Sequence, residues 1–218
     1  MTAQLGAHEV MEVHEVLCNS INAIHQTMLY RPHIKSQQLA SIVDKQMQFM
    51  NQEYNGLVQA IHQQGMNPGS SYPTGYNYSP TYGLRNPDTH SPQMSANQLT
   101  DSDIASGILG IHKSGAIFKT MAALECADPN LRRMIQQGAN NCSEQAYEIW
   151  QYMNQEGYYQ VPTMKQMTTN TVMDTYAPSN IGNMGNMNQL GMMGNMSTMA
   201  SMTTMKMDDL NKVYGMQI

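Results

Sequence analysis

The residues best suited to chemistry open the chain. The run HEVMEVHE at positions 8–15 sets two histidines and three glutamates on the first turns of a helical pattern. His8, Glu12 and Glu15 share one broad face, because helix neighbours recur every three or four residues. Helical bundles hold paired metal ions with glutamates and Glu-x-x-His pairs on facing helices. Such a centre needs two of these pairs. None of Glu9, Glu12, Glu15, Glu53, Glu125, Glu144, Glu148 and Glu156 has a histidine three residues on. The cluster therefore reads as a polar first turn with acids near the positive end of a helix dipole.

Other polar residues fall on apolar stripes: His14, Gln46, Glu53, Glu125 and Gln145. A buried polar atom without a partner costs about 1–3 kcal/mol, so these side chains are expected to form an internal hydrogen-bonded layer. The sharper alternative is a vestigial metal site built from His14, Glu53 and Glu125. Tyr72, Tyr76, Tyr78 and Tyr82 cluster in one segment, where they serve either as filler or as groups for adhesion and dityrosine joining. Cys18, Cys126 and Cys142 show no CxxC spacing and read as buried thiols. No GxSxG, GxxxxGK[ST] or strand-borne GxGxxG is present. His25, His33, His62 and His112 are expected at helix surfaces or ends.

Composition narrows the partners. Only 12% of residues are charged and the net charge is -5, with no Lys/Arg run. Phosphate binding needs a basic footprint, so nucleic acid is not the expected partner. No apolar run is long enough to span a bilayer. The N-terminus lacks the basic-then-apolar pattern of a signal peptide, so a cytosolic product is expected.

The elements that must position these groups form an all-α chain: an antiparallel four-helix bundle made of two hairpins. The first helix runs from about Leu5 to Leu29, with a seam at Val10, His14, Leu17, Ile21, Ile24 and Met28. Arg31-Pro32 ends it. The second runs from about Ser36 to Gln64, along Leu39, Val43, Gln46, Met50, Glu53, Leu57 and Ile61. Residues 65–98 are rich in Pro, Gly, Ser, Asn and Tyr and keep no period, which predicts a loose linker. The third helix opens at Thr100 with Asp103 three residues on, a capping-box spacing. Gly107, Gly110 and Gly115 lower its intrinsic helicity by about 1 kcal/mol each, so it must pack closely on a neighbour. The fourth starts at Asp128-Pro129, continues through Leu131, Ile135, Gly138, Cys142, Gln145, Ile149 and Tyr152, and ends near Gly157. The hairpins thus occupy residues 1–64 and 99–163. The tail, 164–218, holds 13 of the 23 methionines among Asn, Gly, Ser and Thr. It presents no fixed apolar face and is expected to be largely disordered until bound, as an adhesive surface more readily than a copper site or oxidant scavenger.

In order and spacing, several pieces resemble the Coat F family of spore-coat proteins from endospore-forming bacteria. They are the opening Thr100-Asp101-x-x-Ile104, then Leu109, Lys113 and Ala116, the turn from Ala127 to Arg132, and the ending Met153-Asn154-x-x-Gly157-Tyr158-Tyr159-x-Val161-Pro162. The likeness covers roughly residues 5–163. It implies a ferritin-like helical arrangement and a structural component of the spore coat, without catalytic residues or cofactor. It also implies synthesis in the mother-cell cytoplasm and partnership with other coat proteins or further copies of the chain. The alternative reading is a ferritin-like metal-binding or redox enzyme related to manganese catalase. A third is a general stress or surface-binding module.

Overall fold

The computed structural model describes residues 5–62, 69–75, 78–87, 89 and 91–179. The chain divides into two units, Met1–Thr163 and Met164–Ile218. The first holds four long helices: α1 Ala7–Tyr30, α2 Gln37–Ile61, α3 Asp101–Leu124 and α4 Pro129–Gln155. Among the described residues there is no strand, only isolated bridges from Tyr82 and Gly83 to Val161.

Local chemistry sets the helix ends. Glu9 reaches back to accept the Gly6 N–H at 2.6 Å, satisfying a donor that the first turn of α1 leaves bare. Ser36 caps α2 through the Leu39 N–H. Thr100 and Asp103 exchange hydrogen bonds at the start of α3, as the capping-box spacing predicts. Asp128 accepts from the Asn130 and Leu131 N–H groups, with Pro129 at the first helical position of α4. Beyond α4, Gly157 takes a φ of +78°. That left-handed turn suits a residue without Cβ, and it sends the Tyr159 N–H back to the Met153 carbonyl at 3.0 Å.

The helices pack as a cycle of neighbours, α1 on α2, α2 on α4, α4 on α3 and α3 on α1. Contacts fix their directions. Gly115 lies against Cys142 while Gly138 lies against Lys119, so α3 and α4 run oppositely. Gln46 and Glu53 on α2 meet Glu148 and Asn141 on α4, again with opposed numbering. Two of the three α3 glycines allow a close approach, while Gly110 faces open space. Gly107 leaves room for the Tyr30 ring, and Gly115 for the Cys142 sulfur.

Two apolar clusters form. One joins Leu39, Ile42, Val43, Ile104, Ile108, Ile149 and Tyr152, and the other Val13, Val16, Leu57, Ala122, Leu131 and Ile135. The seams expected for α2 and α4 point inward. That of α1 does not. Its buried face is Glu9, Val13, Val16, Ile24 and Thr27, whereas Val10, His14, Ile21 and Met28 are exposed. Both stripes have helical spacing. The choice went to the face whose glutamate finds a partner at the start of α4, since Glu9 also accepts the Asp128 N–H at 2.5 Å. Its two backbone donors hold that carboxyl below the usual carboxylate range against the opposing effect of burial.

The segment joining α2 to α3 is not loose where it is described. It runs beside α4 in the same direction, clamped by side chains. Asn141 accepts the Tyr72 N–H and donates to the Ser70 carbonyl. Asn154 binds both backbone groups of Thr81, and Gln160 both of Arg85. Pro- and Gly-rich backbone forms no repeating internal bonds, so its donors and acceptors need outside partners. Amides at 141, 154 and 160 supply them.

The second unit contains α5, Gln166–Met173, with no buried residue. A helix there departs from the tail's expected disorder. Local bonds support it, including Gln166 Nε2 to Asn170 Oδ1 at 2.8 Å. Most of the methionine run, from Met184 onward, lies outside the described residues.

Replacing Gln160 with Ala removes both bonds to Arg85. Each is worth about 0.5–1.5 kcal/mol, so tryptic cleavage after Arg85 should accelerate by about tenfold while circular dichroism stays unchanged. An unchanged cleavage rate, read by mass spectrometry, would show that the clamp does not hold the segment.

Candidate functional site

Between the two apolar clusters lies a polar belt. Its hub is Glu148, which has no exposed surface. A carboxylate taken from water needs donors on both oxygens. Glu148 receives them from Lys45 Nζ (2.5 Å), Gln46 Nε2 (3.1 Å), the Gly75 N–H (3.0 Å) and the Tyr72 hydroxyl. Lys45 and Gln46 come from α2, Tyr72 and Gly75 from the connecting segment. Tyr72 is buried, edge-on to Phe49 at 5.0 Å, with Lys45 Nζ 4.7 Å above its ring.

Gln46 carries the network to α3. Its amide nitrogen donates to the Gln145 carbonyl and to Glu148, so its oxygen is left to accept from His112 Nε2 at 2.9 Å. That order assigns the proton to Nε2 and a neutral ring to His112. Burial, with the Lys119 charge adding, pulls the His112 pKa down to about 3.

Beside the belt, Lys119 of α3 lies against Glu53 of α2 at 3.5 Å, both largely buried. Burial pulls the Lys119 ammonium down, but hydrogen bonding to the Cys142 sulfur and the Glu53 carboxylate outweighs it and holds the group above its ordinary value. Burial also pushes the Cys142 thiol up, against the pull of Lys119. The pair that results is ammonium with carboxylate, and Cys142 stays a thiol. Gly138 makes the space: a Cβ there would meet Lys119 Cδ at 3.1 Å.

A cavity of about 250 Å³ opens against these groups, walled by Val16, Phe49, Leu57 and Ile135. Its charged lining residues are Glu53 and Lys119, which neutralise each other. The donor set does not suit a divalent metal. Lys119 already places a cation on Glu53, and His112 spends one nitrogen on Gln46. Among the described residues no group of three or more His, Cys, Asp or Glu side chains is placed to hold a metal.

Of the layer foreseen from sequence, Gln46, Glu53 and Gln145 take part, while His14 and Glu125 do not. His14 is exposed, its nearest polar contact Cys18 of its own helix. Glu125 is exposed at the end of α3, 4.0 Å from His8. Of that trio only Glu53 enters the belt, because the α1 face carrying His14 turns outward and Glu125 lies past the last turn of α3. Gln46 and Gln145 are buried as their seam positions required. His112, read from sequence as a surface residue, sits at the centre. Its neighbours on the buried α3 face, Ile108 and Gly115, were the available signal. Tyr72 is an internal anchor and not an adhesive group. Tyr78 and Tyr82 are 42% and 64% exposed, and Tyr76 lies outside the described residues. Cys126 and Cys142 are buried, whereas Cys18 is partly exposed.

A family model described as the Coat F domain matches residues 100–162. The chain is 32% identical over 177 residues to the spore coat protein F-like protein YhcQ of Bacillus subtilis (strain 168). That match covers 80% of this chain and 81% of that protein. No solved structure matches the chain.

His112 makes stability depend on pH. Its folded pKa of about 3 lies below the ordinary 6.5, so the unfolded chain binds the proton first. Stability is full above pH 6.5 and falls as the pH drops, at up to about 1.4 kcal/mol per unit. Urea unfolding at pH 7, 6 and 5 should show this slope, and His112→Gln should flatten it. An equal slope in both proteins would remove His112 as its source.

Proposed function

This chain belongs to the Coat F family, and from that premise we propose that it is a structural component of the bacterial spore coat that assembles with other coat proteins. The observation that carries the reading is the match to a spore coat protein F-like protein along four fifths of both chains. The four antiparallel helices with a long clamped crossover are read as a four-helix bundle of ferritin-like type. The belt at its centre is read as structural, and the protein as non-catalytic. Every charged group there already has a partner: Glu148 with Lys45, and Glu53 with Lys119. A catalyst needs groups left available to a substrate. Among the described residues no helix is long and apolar enough to cross a membrane, which fits association with a protein layer. Synthesis in the mother cell and deposition on the forespore surface complete the proposal.

A fluorescent fusion should appear late in sporulation, encircle the forespore and be recovered with purified spore coats. Abundance in vegetative cells with absence from purified spores would overturn the coat assignment. Removing residues 164–218 should leave the helical signal of 1–163 in place and weaken incorporation into the coat. Unchanged incorporation would place the assembling surface on the helices of the first unit.

A further inference from the structure

The stripe Val10, His14, Leu17, Ile21, Ile24, Met28 has coiled-coil spacing, yet most of it faces away from the core. Val10, Ile21 and Met28 are 51%, 37% and 52% exposed, and Leu17 is half-buried. Ile24 is buried and Leu17 packs on the second apolar cluster. Burying apolar side chains is worth about 1.5–3 kcal/mol each, so Val10, Ile21 and Met28, left in water on one side of α1, mark an interaction surface. The contact of Arg31 with Asp44 sets the register of α1 against α2. It brings half-buried Met47, Tyr54 and Val58 of α2 level with Met28, Ile21 and Leu17. The exposed apolar row thus lies on α1, bordered by α2 side chains of which Met47 also packs on the first apolar cluster and Tyr54 lines the cavity.

We propose that this α1/α2 face binds a second copy of the chain, with the two α1 helices antiparallel about a twofold axis near residue 19. Three features point to a self-partner. The steps along the stripe, four-three-four-three-four, read the same in both directions. An antiparallel copy thus sets Val10 opposite Met28, and Leu17 opposite Ile21, at once on both sides of the axis, as an isologous interface requires. The face also carries no net charge to repel its own copy. Arg31 and Asp44, the charged residues beside it, close on each other at 2.6 and 2.8 Å. Finally, the 24 residues of α1 extend about 36 Å, and two packed helices are about 20 Å wide. The face then offers about 700 Å² per copy, close to the ~800 Å² of a standard interface. Cys18, partly exposed at the midpoint of α1, falls beside the axis with its symmetry mate on the same side.

This names one partner for the assembling role proposed above but rests on the helix face. A monomeric protein that still reaches the coat would overturn the dimer and leave the coat assignment standing. The test is sedimentation and light scattering of the full chain at neutral pH, which should give a dimer. A short bismaleimide should join the two copies through Cys18 and fail with Cys18→Ser. V10E/M28E sets like charges opposite each other and should raise the dissociation constant at least about tenfold, with circular dichroism unchanged because both positions are exposed. V10E/M28K sets the introduced carboxylate opposite the introduced ammonium only in the antiparallel pairing, and it should restore the dimer. A monomeric wild-type chain, or a dimer indifferent to V10E/M28E, would overturn the proposal. Failure of V10E/M28K to recover association would overturn the antiparallel arrangement.

Discussion

A carboxylate shut away from water must be surrounded by donors, and the side chain of Glu148 imposes that condition on the whole first unit. Its partners come from α2 and from the connecting segment, and Gln46 extends the contact to His112 of α3. Moving any of these elements by one residue would strand a buried charge. Leaving a buried carboxylate without its donors costs several kcal/mol, more than a misplaced methyl group does. Helix register and the path of the crossover are therefore set together.

The apolar clusters on either side of the belt contribute the driving force for packing but discriminate weakly between registers. Leu and Ile side chains tolerate rearrangement at similar volume, whereas the amide and imidazole partners at Gln46 and His112 do not. The reciprocal contacts of α3 and α4 show the same division. Gly115 and Gly138 bring the helices close, and Cys142 and Lys119 fill the spaces those glycines leave. The ammonium of Lys119 is retained inside because Glu53 accompanies it.

The family match falls on residues 100–162, the stretch of α3 and α4 that holds His112, Lys119, Cys142, Glu148 and the amides gripping the connecting segment. This stretch is where structure depends on individual polar partners. The α1 helix is held more simply, by one apolar face and by Glu9 at its start. With 12% charged residues over the chain, little electrostatic repulsion separates neighbouring copies or partners.

Local chemistry carried the helices. Thr100 with Asp103, Asp128 with Pro129, and Arg31 with Pro32 each act within four residues, so the ends of α1, α3 and α4 were legible in sequence. So were the inward seams of α2 and α4, because each has one strong apolar stripe. The face of α1 was not legible: two stripes compete there, and the winner depends on Glu9 meeting Asp128, 119 positions away. Nor were the roles of Tyr72 and His112, whose partners Glu148 and Gln46 lie 76 and 66 positions off. By itself the sequence determined the helices, most of their ends and the inward placement of Gln46 and Gln145. Only the tertiary structure decided which polar groups share the interior, because a buried donor is satisfied by whatever acceptor the packing of distant elements delivers.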